Sequence, residues 1–183
     1  MTAQQAGILT LGYAIAVIVF IRVGEKLLKR FGARKPMIQG CLITGVSILF
    51  LLPSNVMLAE YKLSAIVGYT LYGVGLALYA TPSTDAALSS LPLDQVGSGA
   101  GIYKMASSLG AAFGVALSAV IFSTLSANSA AVNWIEGVIT FQGRQDNLAI
   151  REAAIIALTF NVFMVLVAIM AIMLTVPKGR GTR

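Results

Sequence analysis

Histidine is absent from the 183 residues, and cysteine occurs once, at Cys41. No disulfide can close within such a chain, and the Cys/His sets that hold zinc cannot be assembled. A Ser-His-Asp hydrolytic triad is excluded with them. No other convergence of nucleophile, base and orienting group stands out, so neither an enzyme nor a bound cofactor or metal is expected. Charge is scarce too. Asp, Glu, Lys and Arg make up 11% of the residues, less than half of the roughly 25% usual in a soluble domain. In their place stand 57% hydrophobic residues and a mean hydropathy of +0.85. A water-soluble globular domain is excluded.

The apolar residues are gathered into long runs. A helix rising about 1.5 Å per residue needs about 20 apolar residues to cross the hydrocarbon of a bilayer. Uncharged stretches of that order extend from Met1 to Ile21, Pro36 to Ala59, Leu63 to Thr84, Met105 to Ile135 and Ala153 to Pro177. The first has its charges after the apolar run, beginning at Arg22, which is the reverse of a secretory signal. The fold expected is an all-α polytopic membrane protein with five transmembrane helices, at about residues 3–22, 37–58, 63–90, 98–126 and 153–176. A basic loop at 23–36, a long loop at 127–151 and a tail at 177–183 complete the prediction.

The net charge of +6 and the pI near 9.7 would suggest nucleic acid in a soluble protein. In a membrane chain the excess has a simpler cause, because Lys and Arg collect in cytoplasmic loops. One side of the alternating spans collects Arg22, Lys26, Lys29, Arg30, Arg34, Lys35, Lys104, Lys178, Arg180 and Arg183; the other collects Lys62, Arg144 and Arg151. The tail is therefore expected in the cytoplasm, with no nucleic-acid partner and with lipid all round. Five spans and an inward C-terminus require an outward N-terminus. That parity predicts an upstream helix and hence a C-terminal portion of a longer protein; a five-span protein inserting by its first helix is the alternative.

Small residues hint at packing faces. Gly110, Gly114 and Ser118 recur every four positions on the fourth helix, and Gly68, Gly73 and Gly75 lie on the third, ahead of Pro82. Such spacing lets another helix approach closely, while Pro82 removes a backbone donor and favours a bend. The cluster Gly97-Ser-Gly99-Ala-Gly101 lacks the spacing of a phosphate-cradling loop and is read as a flexible entry to the fourth helix. Trp134 and Phe141, within the long loop, suit a membrane interface, as a hairpin or as a helix lying on the membrane.

Two stretches carry a resemblance. Lys29-Arg30-Phe31-Gly32-Ala33-Arg34-Lys35 resembles the Asp-Arg-x-Gly-x-Arg-Arg core of the loop that joins the second and third helices of each half of a major facilitator carrier. Arg30, Gly32, Arg34 and Lys35 are the matching positions, whereas Lys29 takes the usual Asp place and Glu25 that of the first Gly. The second stretch runs through Gly73-Val-Gly75, Ala80-Thr-Pro82, Leu91-Pro92, Gly97-Ser-Gly99 and Ser108-Leu-Gly110-Ala-Ala-Phe-Gly114. It resembles the twelfth and thirteenth helices of the fourteen-span drug:proton antiporters, and within that branch Ile102-Tyr-Lys-Met-Ala-Ser-Ser-Leu-Gly110 looks most like its quinolone exporters.

The resemblance covers nearly the whole chain and implies spans ten to fourteen of such a carrier, in the plasma membrane of a bacterium. It implies proton-coupled multidrug efflux by alternating access, with the proton gradient as energy source and small-molecule drugs as substrates. A separate N-terminal half or another copy would then be needed. A non-transporting truncated protein, a helix-packing partner and an uptake carrier of the same superfamily are the other readings.

Ionisable residues within spans merit functional hypotheses, and Asp85 and Lys104 are the two singled out. They are expected either to pair or snorkel, or to line a cytoplasmic vestibule. Where related multidrug carriers place acids for cationic drugs, Tyr103, Lys104 and Ser108 stand here, which favours zwitterionic or anionic drugs over dications. Tyr69, Tyr72 and Tyr79, with Phe113 and Asn161, are read as packing residues or as a wall for planar drugs.

Overall fold

The computed structural model describes residues 3–53, 58–127 and 148–178. Among them lie five helices and no strand: α1 (Ala3–Phe31), α2 (Arg34–Leu51), α3 (Leu58–Leu88), α4 (Val96–Ala127) and α5 (Leu148–Thr175). By length and composition Tyr61–Leu88, Val96–Ala127 and Leu148–Thr175 can each cross a membrane. The other two helices carry charge toward one end, α1 from Arg22 to Arg30 and α2 at Arg34 and Lys35. The described residues are all-helical, and three of their helices make the chain a multi-pass membrane protein.

The basic stretch at 23–36 is not the loop that its charges suggest. Helix α1 runs on to Phe31, helped by the good helix formers Lys26-Leu-Leu-Lys-Arg30 and by an ion pair between Glu25 and Lys29, whose Nζ donates to Oε1 at 2.8 Å. The reversal is confined to Gly32 and Ala33. Gly32 has φ 76° and its N–H donates to the Leu28 carbonyl at 2.8 Å, the left-handed cap that glycine adopts without strain. Helix α2 then starts at Arg34, with Pro36 in its first turn, where a missing N–H leaves no bond unmade.

Helix α5 likewise begins before the expected 153, at Leu148, so Arg151 and Glu152 are helical. Trp134 and Phe141 lie outside the described residues, as do Arg180 and Arg183.

Helix α3 is the centre of the bundle, with α1 along one side and α2 along another, while α5 packs between α2 and α4. Glycine sets the closest approach. A Cβ on Gly75 would lie 2.8 Å from the Gly40 carbonyl oxygen, and one on Gly40 would lie 2.7 Å from that of Gly75, so α2 and α3 meet backbone to backbone. Gly73 faces the Tyr13 carbonyl of α1 equally tightly. Met37, Cys41 and Ile172 form a buried cluster between α2 and α5, covered by Tyr79, Val165 and Ile169. Pro82 lies inside α3, fully buried, and the helix continues past it to Leu88.

Helix α4 differs from the rest in having no buried residue. A Cβ on Gly110 or Gly114 would meet nothing within 4 Å. No neighbouring atom thus approaches these two glycines, and the contact of this stripe with α5 is made further along α4. There Ser118, the last member of the stripe, accepts a hydrogen bond from Asn161 Nδ2 at 3.1 Å.

Candidate functional site

A cleft of about 490 Å³ opens between α3 and α4. Leu76, Tyr79, Ala80, Thr84 and Leu88 form one wall, and Ala100, Tyr103, Lys104 and Ser107 the other. Both sets follow helical spacing, one residue or pair per turn, so each wall is a single helix face. A short connection, closed by the Leu91 N–H to the Leu88 carbonyl at 3.1 Å and by the Gln95 N–H to the Pro92 carbonyl at 2.9 Å, joins the two helices at one end of the cleft.

Polar groups in and beside the cleft are already partly committed. The Ser83 and Tyr103 hydroxyls share a hydrogen bond of 2.8 Å, which ties the buried stretch after Pro82 to α4. Thr84 donates its hydroxyl to the Ala80 carbonyl at 3.1 Å. Lys104 supplies a cation, and no carboxylate lines the cleft. Asp85, one position beyond Thr84, is exposed and makes no ion pair with Lys104. Of the alternatives for these two residues the mutual ion pair is not formed; Lys104 lines the cleft and Asp85 does not.

The other singled-out residues are dispersed. Tyr79 shares the cleft with Lys104. Tyr72 faces α1 instead, its ring 5.9 Å from that of Tyr13 and tilted by 41°. Asn161 donates to the Ala157 carbonyl at 2.8 Å as well as to Ser118, so its amide braces α5 against α4 rather than joining Tyr79 in a drug-facing wall. In the basic stretch, Phe31 lies between two cations, with Arg30 Cζ and Lys35 Nζ each 5.1 Å from the ring centroid. Arg34 is half-buried in the first turn of α2.

Two features escape a reading of the sequence. Ser83 is buried and bonded across helices, and its position after a helical proline is the signal that could have found it. Glu152 is 2% exposed within α5. It falls between the loop expected at 127–151 and the helix expected at 153–176, because the first turns of a membrane helix need not be apolar.

The whole chain has counterparts among known membrane carriers. The model of the Major Facilitator Superfamily matches residues 1–181. The quinolone resistance protein NorB of Staphylococcus aureus strain MRSA252 is 41% identical over 186 residues, covering 100% of this chain and 35% of that protein. NorB from the bovine strain RF122 / ET3-1 is 41% identical over 183 residues, covering 98% of this chain and 35% of its own length. The chain thus spans about a third of the length of the curated relatives it matches. With apolar helices packed through glycine and a family match from end to end, the chain belongs to the Major Facilitator Superfamily.

Proposed function

We propose that the chain works as part of a proton-driven exporter of quinolone-type and related amphiphilic drugs. The observation that carries this reading is the 41% identity, maintained across all of this chain, to proteins named for quinolone resistance. The α3–α4 cleft supports it with apolar and aromatic walls and one charged group, the usual make-up of a site for a small amphiphile. Carriers of this architecture bind substrate between two halves and rock those halves to alternate access. The remaining helices are supplied by an N-terminal half or by another copy of the chain.

The membrane is the bacterial plasma membrane, with the C-terminal tail in the cytoplasm. The cations at Lys26, Lys29, Arg30, Arg34 and Lys35, gathered where α1 turns into α2, favour that orientation. Energy comes from proton re-entry. Drug-sensitive bacteria producing this chain together with the N-terminal half of a related carrier are expected to hold less norfloxacin than cells producing either part alone, and a protonophore is expected to erase the difference. Equal norfloxacin in all three, with both parts present in the membrane, contradicts the proposal.

A further inference from the structure

We infer that the cleft between α3 and α4 is a subsite for the carboxylate of a planar aromatic acid, anchored by Lys104. The inference deepens the exporter reading, on which it rests for its biological meaning, but its test requires no transport.

The charge balance of the cleft is one-sided. Lys104 stands in the third turn of α4, exposed, on the face that lines the cleft with Ala100 and Ser107. Its ammonium attracts an anion entering the cleft, and that attraction grows as the anion's ring displaces water from the apolar wall. No carboxylate of the cleft wall answers it.

The neutral donors are largely taken. Tyr103 is engaged with Ser83 at 2.8 Å, and Thr84 gives its proton to Ala80 at 3.1 Å. Lys104 and the Ser107 hydroxyl, one turn further along the same face, are left to meet an anion. Two such donors suit one carboxylate. The rest of the wall is largely apolar or aromatic, with Leu76, Tyr79, Ala80 and Leu88 on the α3 side, so a flat ring attached to that carboxylate buries its faces there. The volume of about 490 Å³ lies within the range of drug-sized sites, roughly 300–1,000 Å³. A dication of the same size finds no countercharge on either wall. The phosphate of an anionic lipid offers similar chemistry to Lys104, but it brings acyl chains in place of a planar ring.

The test is equilibrium binding of norfloxacin and its methyl ester, followed by their own fluorescence, to the full 183-residue chain in phosphatidylcholine nanodiscs. The acid is expected to bind about tenfold more tightly than the ester, the scale of one charge-assisted contact. In Lys104→Met the ratio of acid to ester affinity is expected to fall to about one, and in Lys104→Arg to persist. Equal affinity of acid and ester for the unmodified chain overturns the inference without recourse to any variant. So does an acid advantage that survives Lys104→Met.

A second set of discs containing phosphatidylglycerol separates the two anions. A persistent Lys104-dependent preference for the acid supports the aromatic acid. Its loss in phosphatidylglycerol assigns the site to lipid phosphate and overturns the inference. Lys104-dependent binding without drug movement would sink the exporter reading alone, and drug movement without a preference for the acid would sink this inference alone.

Discussion

Asn161 and Lys104 are both polar residues set in apolar helices, and their neighbours give them different work. The Asn161 amide is spent on Ser118 at 3.1 Å and on the Ala157 carbonyl at 2.8 Å. Replacing it by Leu should weaken the α4–α5 contact by about 0.6–2 kcal/mol, the range for polar contacts between membrane helices. Denaturant titration in detergent micelles should show that loss with norfloxacin affinity unchanged; the opposite pattern would return Asn161 to the drug site. Glu25 offers a pH prediction. The hydrogen bond from Lys29, and then its charge, hold the Glu25 carboxyl below the usual carboxylate range. A lowered folded-state pKa gives a stabilisation that is present at neutral pH and lost as pH falls through the carboxylate range. Helicity at the end of α1 should decrease on acidification in the unmodified chain, and Glu25→Gln should remove that dependence in circular dichroism titrations. Lys104 was legible as a residue to watch because charge in a span is rare. That it lacks Asp85 as a partner was not, since spacing along two helices does not fix which faces they turn to each other.

Among elements, α3 and α4 carry similar stripes of small residues and use them differently. Gly75 meets Gly40 across a gap too small for a Cβ, whereas Gly110 and Gly114 face open space. Gly75→Val should therefore destabilise the bundle, at the upper end of or above the roughly 1–3 kcal/mol of overpacking, because the obstructing atom is backbone. Gly114→Val should leave the stability of this 183-residue chain nearly unchanged. Thermal unfolding in micelles compares the two, and equal losses would contradict the packing described. The sequence reads a stripe of small residues as permission for close approach, but it does not name the partner, and that is why the two glycine pairs looked alike. Helix ends were hidden for a related reason. The charges from Arg22 to Arg30 mark the end of an apolar run, while hydrogen bonding carries α1 on to Phe31, where Gly32 stops it with φ 76°.

At the scale of the whole molecule, the helical build, the presence of membrane-crossing helices and the family were open to reading, because length, hydropathy and the Gly32 and Gly110 motifs are local signals. The arrangement of those helices was not, because it depends on contacts distant in sequence. Helix α3 is enclosed by α1 and α2, but α4 has no buried residue, and the chain spans 35% of its NorB relatives. Its α3–α4 cleft consequently has walls from one part of a carrier only. The central claim, that these helices export drugs when joined by the rest of a carrier, is tested most directly by drug movement in inverted membrane vesicles under an imposed pH gradient. The vesicles would contain this chain alone, or the chain together with an N-terminal half from a related carrier. The account predicts norfloxacin accumulation with the added half, or with the chain alone if copies assemble, and its collapse when the gradient is dissipated. No accumulation in either preparation, with the proteins shown to be inserted, would contradict it.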